Sequence, residues 1–105
     1  MSGTVVTVGL AAGLVGLAGM YLPVYAALAT RQAVAGAADA AALAAADVAV
    51  GIHPGYPCEA AERVATANGA SLLECELDGL VASVTVGRGI LGIPVTASAT
   101  AGPPR

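Results

Sequence analysis

No charged residue precedes Arg31. Residues 5–29 are apolar or small throughout, with Thr7, Tyr21 and Tyr25 as the only polar-tipped side chains. As a helix rising about 1.5 Å per residue, that stretch is ~37 Å long, and a hydrocarbon core is roughly 30 Å thick. Residues 1–30 therefore read as the transmembrane half of a long helix, and the remaining chain as a small module hung on it.

Composition agrees with that division. Hydrophobic residues make up 57 % of the chain and charged residues 10 %, against a usual charged share of about 25 %. There is no Trp, no Phe and only three Tyr, so aromatic burial cannot hold a large interior together. A net charge of −3, with four Arg and no Lys, argues against a nucleic-acid partner.

The span carries three further features. Gly9, Gly13 and Gly16 fall on one helix face; Gly9 to Gly13 is a GxxxG motif, and small residues let a second helix approach closely in lipid. Tyr21 and Tyr25 stand where aromatic residues mark a membrane interface. Pro23 removes one helical hydrogen bond and predicts a kink near Leu22, which lipid-embedded helices tolerate. The triplet Ala27-Leu28-Ala29 matches a small-x-small cleavage pattern, but no positive residue opens the chain and the apolar run exceeds a usual signal core. Retention as an anchor is the expectation; release after Ala29 is the alternative.

Residues 31–50 are Ala-rich and free of Pro, which predicts that the helix continues to about residue 50, with Val34, Leu43 and Val50 as a modest apolar stripe. Gly51 and Pro54 end it. Residues 51–105 form the module. Pro57 suits the first turn of a second helix over 57–67, with Glu59 and Glu62 near its positive end and Asn68-Gly69 as its stop. Its face carries Cys58, Ala61 and Ala65.

Beyond Gly69 the period changes to two. Strands are expected over 71–77, 80–86 and 93–100, with Asp78-Gly79 as a two-residue hairpin turn and 87–92 as a second, looser one. The first turn pairs Leu77 with Leu80, Cys75 with Ala82 and Leu73 with Val84. Leu73, Leu77, Leu80, Val84 and Val95 then form the apolar face that covers the Ala-rich helix. The fold class is α+β: a long membrane-spanning helix continuing outward, a short helix and a three-stranded antiparallel sheet.

Cys58 and Cys75 lie within the same module. In an exported domain such a pair forms a disulfide; two buried thiols are the alternative, and would fit a module facing the cytoplasm. Arg31 alone favours a cytoplasmic C-terminal side. The cysteine pair and the glycine-rich, β-patterned tail favour the outside, and outside is the orientation expected.

A long N-terminal helix, half in the membrane, with a small sheet on its outer half is the plan of a pilin. The run from Arg31-Gln32-Ala33 through Ala38-Asp39-Ala40-Ala41-Ala42-Leu43-Ala44-Ala45-Ala46 resembles the signature after the membrane helix in TadE-like and TadG-like proteins of tight-adherence (Tad/Flp) pili. Cys58, Ala67-Asn68-Gly69-Ala70, Cys75 to Gly79 and the closing Ala99 to Pro103 resemble the short actinobacterial TadE-like proteins encoded near secretion genes. The resemblance covers nearly the whole chain. It implies a minor pseudopilin-like structural subunit without catalysis or cofactor, whose helix assembles with other pilin or secretion-system subunits. It stops short of the prepilin-peptidase site, where a Gly is followed by a Glu at the fifth mature position; here Gly3 is followed at that offset by Val8, and no Glu lies in the helix.

Catalytic and metal chemistry find little footing. His53, the one histidine, stands beside Pro54 in a loop. With Cys58 and Cys75 it supplies three ligands at no familiar zinc spacing. Glu74 and Glu76 alternate onto the polar face of their strand, and no Gly-rich stretch links a strand to a helix as a phosphate loop does. The leading expectation is thus a membrane-anchored structural subunit. A secreted disulfide-bonded binding or effector domain is second, and a holin- or toxin-type membrane peptide third.

Overall fold

The structure, a computed structural model, describes residues 2–104; Met1 and Arg105, the outer limits of the expected first and last segments, lie outside the described residues. It is built from α1 (Ser2–Ala49), α2 (Pro57–Ala67), β1 (Ser71–Asp78), β2 (Val81–Ile90) and β3 (Ile93–Ala101). The layout is the α+β arrangement read from the sequence: one long apolar helix, a short helix and a three-stranded antiparallel sheet in the order β1-β2-β3. Principal extents of 73 × 30 × 19 Å and a radius of gyration of 21.0 Å describe an elongated molecule. A compact chain of this length would have a radius of gyration near ~13 Å.

The elongation comes from α1, whose two halves have different surroundings. Through Ala29 its described residues are all exposed. From Val34 onward, Val34, Ala37, Ala38, Ala41, Ala42, Ala45 and Ala46 are buried. Counted from Val34 they fall at offsets of 3, 4, 7, 8, 11 and 12 residues, which is a single helix face. The stripe is therefore Ala capped by Val34, and the expected contributions of Leu43 and Val50 are corrected: they are 58 % and 41 % exposed. At about 100° per residue each lies nearly opposite Val34 on the helix.

Both helices end in the same way. Gly51 takes φ 87°, its N–H donates to the Val48 carbonyl, and the Ile52 N–H donates to Asp47. Gly69 takes φ 75°, its N–H donates to Thr66, and the Ala70 N–H donates to Ala65. These are Schellman closures, and the second is reinforced by burial of both Ala65 and Ala70. Pro57 opens α2 behind Tyr56, whose extended φ of −105° and ψ of 131° set the entry of the chain.

One face of the sheet packs on the Ala stripe and on α2. Ala82, Val84 and Val86 of β2 are buried there, and Leu72, Cys75, Val95, Ala97, Ala99 and Ala101 pack around them. The opposite face is polar and carries cross-strand hydroxyl pairs, Ser83 with Thr100 at 3.0 Å and Thr85 with Ser98 at 2.8 Å.

The register differs from the expected one. Asp78 pairs with Val81, Leu77 with Ala82 and Cys75 with Val84, so the turn residues are Gly79 and Leu80. Gly79 has φ 64°, and Gly at the first of two central positions is the mark of a type II′ turn. Because the slip is two residues, Cys75 keeps its face. A bulge between Leu72 and Glu74 then changes the parity. Leu72 packs on the core, whereas Leu73 is 55 % exposed. Leu80 sits in the turn, 48 % exposed. Leu73 and Leu80 therefore leave the expected apolar face, and Leu72 and Val86 join it. At the other end β2 does not stop at residue 86. It pairs with β3 as far as Ile90 with Ile93, and the expected loose turn is a tight one made by Leu91 and Gly92, both at positive φ.

Candidate functional site: the uncovered helix and the hairpin beside it

Among the described residues, the N-terminal half of α1 has no partner. The most apolar stretch of the helix is wholly exposed, with a mean hydropathy of 2.0, and it is long and apolar enough to cross a membrane. Two of its threonine hydroxyls are satisfied locally: Thr7 donates to the Gly3 carbonyl at 2.8 Å and Thr30 to the Ala26 carbonyl at 3.0 Å. Such i−4 bonds leave these hydroxyl protons with no need of water, as an apolar medium requires. Pro23 lies inside the unbroken helix.

Gly9, Gly13 and Gly16 are all exposed, and a Cβ added to any of them would meet nothing within 4 Å. None is required by packing inside this chain. In a helix interior each costs roughly 1 kcal/mol relative to Ala. The stripe therefore presents open backbone to whatever surrounds the helix.

Cys58, in the first turn of α2, is bonded to Cys75 at the middle of β1, with Cα atoms 5.9 Å apart. The bond ties an edge strand to the helix beside it and closes a loop of sequence separation 17. Each partner is half-buried.

The residues weighed for chemistry are dispersed. His53 is exposed above a shallow groove shared with Asp47 and Arg63. Glu74 and Glu76 are exposed opposite Thr85 and Ser83 on the polar face of the sheet. Among the described residues, no three of His, Cys, Asp or Glu gather as metal ligands.

One feature was missed in the sequence. The β2–β3 hairpin runs back along α1, and its tip lies against the helix where the exposed half begins. A groove of about 430 Å³ is lined by Pro23, Ala27 and Thr30 on α1 and by Ile90, Leu91 and Ile93 on the hairpin. Leu91 is 97 % exposed and Ile93 66 %. The available signal was the string Ile90-Leu91-Gly92-Ile93, aliphatic where a turn ordinarily carries Asn, Asp, Ser or Gly.

No family model, curated protein or solved structure matches this chain.

Proposed function

We propose that the protein is a membrane-anchored, non-catalytic structural subunit with the plan of a pseudopilin, of the TadE-like kind that serves Tad/Flp-type pili or related secretion systems. The observation that carries the reading is the division of α1. Its first part is uncharged and uncovered, and its last part is buried from Val34 onward by the small disulfide-bonded module. A helix that is apolar all round and unburied in its own chain belongs in lipid or among other helices. In this reading the exposed half anchors the subunit and packs with neighbouring helices through the Gly9, Gly13, Gly16 face, while the module stands outside the membrane.

A second reading has one observation in its favour. Every buried residue among those described lies beyond residue 33, so a module released after Ala29 would keep that core. Release would, however, strip Pro23, Ala26 and Ala27 from beside the hairpin tip and remove one wall of the groove there. Membrane fractionation combined with the mass of the mature N-terminus separates the two. An anchored subunit stays with the membrane pellet and retains the residues before Thr30. A soluble species starting at Thr30 would replace the anchored reading with a secreted binding or effector domain.

A further inference from the structure

We propose that the tip of the β2–β3 hairpin is a second lipid contact, seated at the headgroup–acyl boundary of the leaflet on the module's side of the membrane. The inference rests on the reading of α1 as a membrane span and adds a surface which that reading does not use.

Four observations converge on the tip. The first is its composition. Ile90, Leu91 and Ile93 surround Gly92, and Leu91 and Ile93 are 97 % and 66 % exposed. The second is conformation. Leu91 has φ 51°, in the left-handed region that Asn and Gly occupy most readily, so the backbone of this turn does not ask for Leu. Among the described residues it is the one non-glycine at positive φ.

The third is depth. A core of roughly 30 Å takes about 20 helical residues, which counted from Val5 end at Val24. The tip lies against Pro23, Ala27, Thr30 and Arg31, where the helix leaves that core. Tyr21 and Tyr25 mark the same level, as aromatic residues do at membrane interfaces. The far turn of the sheet, which carries Asp78, lies at the other end of β2.

The fourth is charge. On β2 and β3 the one charged residue is Arg88, and on α1 before Asp39 it is Arg31. Asp39 sits about 12 Å further along the helix than Arg31. The membrane-facing end of the module thus carries two guanidinium groups without a carboxylate on the same stretches, which suits phosphate headgroups. An aliphatic tip flanked by Arg is the pattern of an interfacial anchor. The groove behind the tip sets Pro23, Ala26 and Ala27 of α1 against Ile90, Ile93 and Val95 of the hairpin, with Thr30 and Arg31 completing the helix wall.

The chain has no Trp, so a single introduced Trp reports one position without background. The test uses the full chain in phosphatidylcholine–phosphatidylglycerol vesicles whose acyl chains are brominated either near the headgroup or near mid-chain. Leu14→Trp reports the span, Leu91→Trp and Ile93→Trp report the tip, and Leu77→Trp reports the far end of the sheet. The proposal expects Leu14→Trp to be quenched by mid-chain bromine. It expects the two tip variants to be blue-shifted and quenched by bromine near the headgroup, and Leu77→Trp to be quenched by neither. Either tip variant suffices should the other disturb the hairpin. If Leu14→Trp is quenched and both tip variants emit as in water, the second contact is overturned and the anchor stands. If Leu14→Trp is itself unquenched, the span reading falls and this proposal with it. Tip emission that is blue-shifted, unquenched and reversed by dilution in lipid would place the tip against another copy of the chain, and would also overturn it.

Discussion

The buried alanines show how few atoms decide the packing of this module. Apart from Val34, Val84 and Val86, the buried apolar side chains of the described residues are all Ala. An Ala face lets α1 lie close to the sheet and to α2, because no long side chain stands between them. It also leaves no slack. Replacing Ala38 or Ala41, each 0 % exposed, with Leu should cost about 1–3 kcal/mol by overpacking, read as a lower midpoint of thermal unfolding in detergent. The reverse is expected at Leu91→Asn. Asn accepts the left-handed conformation and precedes Gly92 as in the favoured two-residue hairpin turn, so the variant should gain roughly 0.5–1 kcal/mol in the same assay. A loss at Leu91→Asn would mean that the Leu side chain stabilises the module even in detergent. The same small-atom core explains the weight carried by the Cys58–Cys75 bond. Changing both cysteines to Ser should remove about 3 kcal/mol in the chain-entropy description, and β1 should become the first strand to exchange its amide protons.

At the scale of elements, the helix stops were the most legible features, because they depend on one residue each. Gly51 and Gly69 both take the positive φ that a Schellman closure needs, and only the residue type had to be known. Strand register was harder. Asp78-Gly79 is a strong turn signal, yet the turn is centred one residue later, on Gly79-Leu80. A type I′ turn would use Asp78-Gly79, whereas a type II′ turn needs Gly first, and local sequence does not choose between them. The choice is decided by the sheet as a whole, since this register stacks Cys75 over Val84 toward α2. The bulge near Leu73 was invisible for a similar reason: it exchanges Leu72 for Leu73 in the core, and the two are chemically identical. The Ala stripe of α1 was hidden by composition. Where nearly every residue is Ala, hydropathy draws the eye to Leu43, although its angular position excludes it. The GxxxG face could be found in sequence but not given a partner. Gly13→Leu should leave membrane insertion intact and reduce cross-linking between α1 and neighbouring helices, because the open backbone around Gly13 is what close approach requires. An unchanged cross-linking pattern would assign these glycines to composition alone.

At the scale of the molecule, the two halves of α1 are one helix with two kinds of surface, one exposed and one covered, and the module decides where the change occurs. The exposed half has a surface suited to lipid, and among the described residues no element covers it. The outer half has few charges and an Ala face kept dry by Ala61 and Ala65 of α2 together with Val84, Val86 and Val95 of the sheet. A lone helix of that length is marginal in water, and Gly36, with nothing packed over it, weakens it further. Deleting residues 71–105 removes the whole sheet together with Cys75. The truncated chain should still partition with membranes, since the span is untouched. Its outer segment between Arg31 and Val50 should become sensitive to protease, whereas the intact chain resists cleavage there. The two measurements must be made on the same vesicles, because loss of insertion would also expose the segment. Equal protection of residues 31–50 with and without the sheet, in vesicles that retain the anchor, would show that the outer helix stands without its cover. The sheet would then be free to move relative to α1, and the fixed placement of the hairpin tip beside Pro23 would be lost with it.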